Sequence, residues 1–222
     1  VEKYSISYSP SLSVLEILNR ENRHASRKIL ALGNPDLNNI ALDLPAAEKE
    51  VEMIKEVFPT AKILKRQKAT EAAAKSLAQD YSILHFACHG EYIPEAPLAS
   101  SIRLAPGNGE DGRLEAGEIF DMDINANLVA TSACQTAIGK IGKGDEVVGL
   151  TRAFIYAGAK SVLGSLWNIS DEATTSLMME FYRNLQSLHE SEALRQAQLK
   201  MINSKKYNSP FFWAPFYITG GF

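Results

Sequence analysis

Two kinds of hydrophobic pattern alternate along this chain of 222 residues. Short apolar runs without helical spacing predict buried strands, and longer segments with apolar residues every three or four positions predict amphipathic helices. The predicted strands span Lys28–Gly33, Lys62–Leu64, Ser82–Gly90, Asn127–Gln135, Ser161–Trp167 and Phe211–Thr219. The predicted helices span Ala46–Phe58, Glu71–Gln79, Asp145–Gly158, Asp171–Leu188 and Ser191–Ile202.

This repeated alternation predicts a largely parallel sheet with helices on both faces. The segment Ser101–Ile119 carries Gly, Pro and Asp-Gly turn signals and is typical of a hairpin. We expect one compact α/β domain over residues 1–222, with residues 1–25 as a lead-in segment. The segment Val1–Tyr8 alternates without an obvious partner strand, and Val1 is not a methionine, so we expect a piece of a longer polypeptide.

The composition limits the kinds of binding partner and the cellular compartment that we expect for this protein. A hydrophobic content of 45% supports a sizeable core. A formal net charge of −3 predicts no direct nucleic-acid partner, and no apolar run approaches the roughly 18 residues that would predict a membrane partner. Cys88 and Cys134 both lie at the ends of predicted buried strands, which favours a reduced, cytoplasmic protein over a disulfide-bonded one.

Two strand ends carry side chains that are suited to catalysis. The run Ser82–Gly90 reaches His89, and the run Asn127–Gln135 reaches Cys134. Because the carboxyl ends of parallel strands line one crevice, we expect these two side chains to meet there. A cysteine with a histidine within hydrogen-bond reach is an activated nucleophile with its base. A cysteine at a strand end is also compatible with simple core packing.

Other candidate residues in the same runs favour structural roles. We interpret Cys88 as a core thiol and His85, on the opposite face of the strand from Cys88, as a buried structural histidine. His85, Cys88, His89 and Cys134 include ligand types for zinc. Strand alternation nevertheless sends Cys88 and His89 to opposite faces, so we predict no metal site and no cofactor.

Several motifs, in order along nearly the whole chain, resemble the CHAT family of caspase-like peptidases. They are Ala31–Pro35, Leu44–Glu50, His85–Gly90, Ser132–Thr136, Gly149–Phe154, Ala157–Ala159, Ser165–Trp167, Phe181–Tyr182, Ala193–Gln198 and Trp213–Phe216. The resemblance implies a caspase–hemoglobinase-like three-layer α/β sandwich with a mostly parallel central sheet. It also implies a His89/Cys134 dyad and an oxyanion hole formed by the backbone N–H groups of Gly90 and Cys134. Family members are often fused to tetratricopeptide repeats, so this chain would be the C-terminal part of such a protein.

The resemblance also suggests a specificity pocket. Ser132 stands two residues before the nucleophile, and Trp167 with Asn168 matches the Trp-Arg pair with which caspases hold an acidic side chain. Asn168 carries no charge, which argues against cleavage after aspartate. Asp171 resembles the separase pattern, in which an acid receives arginine, and Asp145 is a further candidate acid. We therefore expect a basic or large neutral residue before the cut; a helix N-cap is the alternative role of Asp171.

These features predict a cysteine endopeptidase that cleaves a protein or peptide substrate through an acyl-enzyme. Its activity would be regulated by tetratricopeptide repeats in the same polypeptide or by an activating protein partner. Two alternatives stay open. One is a catalytically silent interaction or signalling module of the same fold, and the other is a domain that processes only its own polypeptide.

Overall fold

The computed structural model describes residues 1–20, 27–93, 95–132, 146–167 and 169–221. Nine strands lie within these ranges: β1 (Ile29–Pro35), β2 (Lys62–Arg66), β3 (Ile83–Ala87), β4 (His89–Glu91), β5 (Ser101–Arg103), β6 (Arg113–Glu115), β7 (Leu128–Thr131), β8 (Ser161–Ser165) and β9 (Phe216–Gly220). The same ranges contain eight α-helices: α1 (Leu12–Arg20), α2 (Pro45–Val57), α3 (Glu71–Leu77), α4 (Ala116–Phe120), α5 (Glu146–Tyr156), α6 (Asp171–Leu185), α7 (Glu190–Ile202) and α8 (Pro210–Trp213).

Six strands form the central sheet, in the order β2-β1-β3-β7-β8-β9. The first five are parallel, and β9 runs antiparallel to β8 at one edge. All residues of β1 and β3 are buried, as expected for central strands of a parallel sheet that is covered on both faces. The predicted mostly parallel α/β sheet is therefore confirmed.

Two helical layers cover the central sheet. Helices α2, α6 and α7 bury residues such as Val51, Phe181 and Leu194 against one face. Helices α3, α4 and α5 bury Ala74, Ile119 and Phe154 against the other face, together with β5 and β6. Strand β3 contributes side chains to the hydrophobic cores on both faces of the sheet. Ile83 and Ala87 pack into the core under α2, α6 and α7, whereas Leu84, Phe86 and the following Cys88 pack into the core under α3, α4 and α5.

Local signals explain several element ends. Thr70 caps α3, because its Oγ1 accepts a hydrogen bond of 3.1 Å from the N–H of Ala73. Helix α5 ends at Tyr156, and Gly158 follows with a φ of 110°, which is the left-handed conformation expected there.

Two predicted strands differ from the structure. The run through His89 is divided, because β3 ends at Ala87 and His89 begins β4 in a separate antiparallel sheet with the order β4-β5-β6. The last strand was predicted from Phe211, but Pro210 occupies the first turn of helix α8 and the strand begins only at Phe216. Proline suits a first helical turn because it needs no N–H partner there, and this favours the helix.

The N-terminal segment finds its partner at the edge of the central sheet. The N–H of Tyr8 donates to the carbonyl of Ile218 at 2.8 Å, and the N–H of Gly220 donates to the carbonyl of Tyr8 at 2.8 Å. Tyr8, at the end of this segment, thus lies beside β9, a partner that the sequence pattern did not indicate. No helix in the described ranges is both long enough and apolar enough to cross a membrane.

Candidate active site

The two strands that were predicted to carry the dyad are neighbours in the sheet. Strands β3 and β7 are parallel, with Phe86 opposite Thr131 near their carboxyl ends. The next residue, Ser132, continues the pairing because its N–H donates to the carbonyl of Phe86 at 3.1 Å. Cys134 follows two positions later and lies outside the described residues, as do Asp145 and Asn168.

His89 is fixed by a backbone contact. Its side chain is largely buried, with 7% of the residue exposed, and its Nε2 lies 2.8 Å from the carbonyl oxygen of Leu42. A carbonyl oxygen only accepts hydrogen bonds, so Nε2 carries the proton in this contact. The neutral ring that makes this bond has its lone pair on Nδ1, which is the form required of a general base.

A small pocket of about 50 Å³ opens beside His89 at the carboxyl edge of the sheet. Strand ends, helix α2 and the first turn of α6 form its walls. The described lining residues are Leu44, Ala46, Ala47, Glu50, Ala87, Cys88, His89, Ser132, Asp171, Thr174 and Thr175. His89, Ser132 and Asp171 were candidate site residues in the sequence, and the fold brings these three together.

The other candidate pocket residues have different positions. Asp171 is exposed in the first turn of α6, and Ser170 rather than Asp171 is the N-cap residue, so the N-cap role was wrong. Trp167 does not appear among the lining residues of this pocket. Its Nε1 donates to the carbonyl of Phe211 at 3.0 Å, and its ring tilts against that of Phe211 with 6.4 Å between the centroids.

Glu50 is a polar lining residue that the sequence analysis missed. It is 4% exposed, and its Oε1 lies 3.0 Å from Nε2 of His85. The other ring nitrogen, Nδ1, lies 2.9 Å from the hydroxyl of Tyr182. A signal was present in the sequence, because Glu50 precedes Ile54 by one helical turn and so lies on the buried face of α2. The expected structural role of His85 agrees with these two buried contacts.

Cys88 lines the same pocket but has the properties of a core thiol. Its Sγ lies 3.6 Å from the carbonyl oxygen of Leu32, and the residue is buried. Burial raises the pKa of the Cys88 thiol well above its ordinary value, and the Glu50 carboxylate adds to the rise. A thiol with a raised pKa holds little thiolate, so Cys88 is poorly suited to act as a nucleophile.

Within the described residues, the carboxylates of Glu71, Glu110 and Glu118 lie close enough together to hold a metal ion. The Lys75 ammonium occupies the space between them, at 2.7 Å from Glu71, 2.8 Å from Glu110 and 2.7 Å from Glu118. The group is therefore satisfied by a lysine of the chain itself.

Comparison with known proteins assigns the fold and the family. The chain is similar in structure to the Saccharomyces cerevisiae separase in its complex with securin, with a TM-score of 0.68 over 99% of this chain and 14% of that chain, at 17% identity. The Drosophila initiator caspase Dronc matches with a TM-score of 0.51 over 88% of this chain and 82% of that chain, at 10% identity. The fold is thus that of the caspase-like cysteine peptidases.

The sequence matches the CHAT domain over residues 1–221, so the chain belongs to the CHAT family. A curated relative is the human tetratricopeptide repeat protein 28, which is 26% identical over 99% of this chain. This chain spans 11% of the length of that protein. The resemblance to the CHAT family, which the motifs of the sequence had indicated, is confirmed.

Proposed function

We propose that this chain is a cysteine endopeptidase in which Cys134 is the nucleophile and His89 is the general base. The observation that carries the proposal is the shared pocket of His89 and Ser132, which come from neighbouring strand ends. Ser132 stands only two residues before Cys134 in the sequence. The caspase-like fold supports the same assignment, because cysteine peptidases use this architecture.

The hydrogen bond of His89 sets its part in the reaction. While Nε2 donates to the carbonyl of Leu42, Nδ1 takes the proton of the Cys134 thiol. An ordinary thiol has a pKa of about 8.5, so only a small fraction is thiolate at neutral pH without a base. The Leu42 carbonyl also stabilises the imidazolium that forms, because it accepts from the charged ring.

The chemistry then follows in two halves. The thiolate of Cys134 attacks the carbonyl carbon of the scissile bond, and the backbone N–H groups of Gly90 and Cys134 stabilise the oxyanion. The C–N bond breaks, the leaving amine takes the proton from His89, and a thioester remains on Cys134. A water molecule that gives its proton to His89 hydrolyses this thioester and restores the thiol.

The residue before the cut is proposed to be basic, and the position of Asp171 supports this. Its carboxylate lies at the pocket that also holds His89 and Ser132. A large neutral residue is the second option. Trp167, Asn168 and Asp145 are retained as proposed contacts to the substrate on the family resemblance alone.

The test is intact-mass labelling with peptidyl acyloxymethyl ketones, which alkylate the nucleophile of a working dyad. We expect one adduct for each chain, located on Cys134 by peptide mapping. Cys134→Ala is expected to abolish the adduct, and His89→Ala is expected to slow its formation by about 100-fold or more. The matched control is Cys88→Ala, which removes the other thiol and is expected to label at the wild-type rate.

An adduct on Cys88, or equal labelling of the wild type and His89→Ala, would contradict the dyad. Labelling is measured on this chain and on the full-length protein, because regulation by repeats or a partner would show as a difference between the two. Absence of labelling in both forms would reject the peptidase.

A non-catalytic interaction module is the second candidate, and the curated relatives favour it. The human and mouse relatives are both named as tetratricopeptide repeat proteins, and repeats of this kind bind other proteins. A module of this kind would keep its biological activity in the Cys134→Ala variant, whereas a peptidase would lose it.

A further inference from the structure

The pocket beside His89 has a negative lining. Two carboxylates, Glu50 and Asp171, belong to it, and the described lining residues include no lysine or arginine. Glu50 is 4% exposed, whereas Asp171 is open to solvent. One acid therefore lies at the base of the pocket and the other at its mouth.

Glu50 lies against the pair formed by His85 and Tyr182. Burial raises the pKa of Tyr182 well above its ordinary value, and the Glu50 carboxylate raises it further, so the phenol is protonated. A phenol that donates to Nδ1 of His85 leaves the ring proton on Nε2, which faces Glu50 at 3.0 Å. These two atoms lack the alignment of a hydrogen bond, and Oε1 of Glu50 has no hydrogen-bond partner among the described residues.

Two threonine hydroxyls point to a polar ligand independently of the acids. Oγ1 of Thr174 and Oγ1 of Thr175 are buried and have no hydrogen-bond partner among the described residues. Thr174 is 4% exposed, and both residues line the pocket. Burying a hydroxyl without a partner is energetically unfavourable, so an occupant that donates hydrogen bonds to these oxygens would be stabilised.

The size and the walls of the pocket fit the end of a long side chain. A volume of about 50 Å³ is close to that of two water molecules in the liquid, which admits a small charged head group. Leu44, Ala46, Ala47 and Ala87 add apolar wall that suits an aliphatic stem. The same pocket disfavours an anion, which would lie against two carboxylates. The backbone N–H groups of Ala173 and Thr174, which could otherwise bind an anion, donate to the carbonyl of Ser170 at 3.0 Å each.

We propose that Glu50, with the hydroxyls of Thr174 and Thr175, forms the base of a specificity pocket that binds the cationic head of an arginine or lysine side chain. Asp171 attracts the same side chain at the mouth. As a specificity pocket this rests on the proposed peptidase function, since the bound residue is the one that precedes the cut. Glu50 is then a specificity-determining residue held in place by His85 and Tyr182.

The first test measures binding without catalysis. Agmatine carries the arginine head and stem, and N-carbamoylputrescine replaces its guanidinium with an uncharged urea while keeping the same terminal amine; both are titrated into the chain by calorimetry or NMR. We expect agmatine to bind at least about tenfold more tightly, and we expect Glu50→Gln to remove that preference. The matched control is Glu52→Gln on the same helix, an exposed carboxylate paired with Lys65 that lies outside the pocket.

A second variant guards against misfolding of Glu50→Gln. Thr174→Val keeps the shape of the side chain and removes a hydroxyl that makes no hydrogen bond in the described fold. We expect its unfolding temperature to be at least that of the wild type, because an unpartnered buried hydroxyl is removed, and its affinity for agmatine to fall several-fold. Equal binding of agmatine and N-carbamoylputrescine, or unchanged agmatine affinity in Thr174→Val and in a folded Glu50→Gln, would overturn the proposal.

The second test compares labelling by acyloxymethyl ketones that carry arginine or citrulline next to the reactive group. We expect the arginine probe to label wild type at least about tenfold faster than the citrulline probe, and Glu50→Gln to lose that preference. Labelling without a preference for arginine would overturn the pocket assignment and leave the peptidase intact. Agmatine binding without labelling by either probe would reject the peptidase and leave the cation site standing.

Discussion

Two buried carboxylates on opposite faces of the sheet have different surroundings. On one face the lysine cluster, formed by Glu71, Lys75, Glu110 and Glu118, places an ammonium at hydrogen-bond distance from three acids. On the other face the pocket cluster, formed by Glu50, His85, Thr174 and Tyr182, includes a carboxylate with no lysine or arginine beside it among the described pocket residues.

The difference separates a structural cluster from a candidate binding site. The second oxygen of Glu71 also accepts the N–H of Gly112 at 2.8 Å, so the acid of the lysine cluster has partners for both oxygens. The pocket cluster and the adjoining Thr175 keep three buried oxygens, on Glu50, Thr174 and Thr175, without hydrogen-bond partners in the described fold. Buried polar groups are normally satisfied, so an exception beside a candidate catalytic residue points to a ligand.

The largest expected effect separates the two clusters by activity. We predict that His89→Ala, at the edge of the pocket, slows the labelling of Cys134 by about 100- to 10,000-fold. Lys75→Met, in the lysine cluster, is expected to leave the labelling rate within about twofold of wild type. A comparable loss in both variants would contradict the separation, and circular dichroism of each variant is the control for folding.

For stability we expect the reverse order of effects, with a larger loss in Lys75→Met than in His89→Ala. Lys75→Met leaves three carboxylates together without their counter-ion, so we predict a loss of about 2 kcal/mol in the free energy of unfolding, measured with urea. The matched control is Lys65→Met, which removes a lysine paired with Glu48 and Glu52 at a more exposed position. Its expected loss is smaller, and an equal loss would show that the lysine cluster has no special role.

Lowering the pH should restore part of the stability that the Lys75→Met variant loses. Burial raises the pKa of Glu71 above its ordinary value even though Lys75 opposes the rise. Without Lys75 the folded state binds this proton more tightly than the unfolded chain does, so the free energy of unfolding rises as the pH falls towards the ordinary glutamate range.

The wild type should gain less from acid than Lys75→Met does. Lys75 lowers the pKa of Glu110, so the stabilisation from this pair is present above the ordinary glutamate pKa and is lost as the pH falls through the lowered value. This loss opposes the contribution of Glu71, whose pKa is raised in the wild type as well. Urea unfolding of both proteins between neutral and acidic pH measures the two responses, and an equal or larger gain of stability in the wild type would contradict this account.

A smaller effect tests whether His85 and Tyr182 hold Glu50 in place. Tyr182→Phe removes the hydroxyl that contacts His85 and leaves a buried ring nitrogen without that partner, at a cost of about 1–2 kcal/mol. Tyr217→Phe is the control, because its hydroxyl makes only a 3.4 Å contact with Thr151. We expect Tyr182→Phe also to weaken the preference for the arginine probe, which a purely structural role would leave unchanged.

The smallest expected effect belongs to the second thiol. Cys88→Ala is predicted to lose about 1 kcal/mol of stability through a small cavity and to keep the wild-type labelling rate. Alkylation of the native protein by iodoacetamide, followed by peptide mapping, is expected to leave Cys88 unmodified. Rapid modification of Cys88 would show that the raised pKa and burial do not protect it.

The fold was predictable where the signal was periodic and local. Buried runs such as Ile29–Pro35 and helices such as Asp171–Leu185 follow hydrophobic spacing, and repeated alternation then favours a parallel sheet. The division of the strand at Cys88 was not predictable, because the pairing of His89 with Arg103 depends on a distant segment. The helix at Pro210–Trp213 was missed because aromatic residues also favour strands.

The candidate site was predictable only in part, because some of its residues are brought together by contacts between distant segments of the chain. His89 and Ser132 could be assigned to one edge, because parallel neighbouring strands end together. Glu50 was missed although its spacing from Ile54 places it on the buried face of α2, because a glutamate in an amphipathic helix is normally solvated and its partner His85 is 35 positions away. The packing of α2 and α6 over the sheet buries this acid.

The most direct test of the account is a crystal structure of the chain after reaction with the arginine acyloxymethyl ketone. We predict a covalent bond to Sγ of Cys134, Nδ1 of His89 facing that sulfur, and the guanidinium within hydrogen-bond distance of Glu50. An adduct on another residue, or an arginine side chain lying outside the pocket that His89 and Glu50 share, would contradict the account.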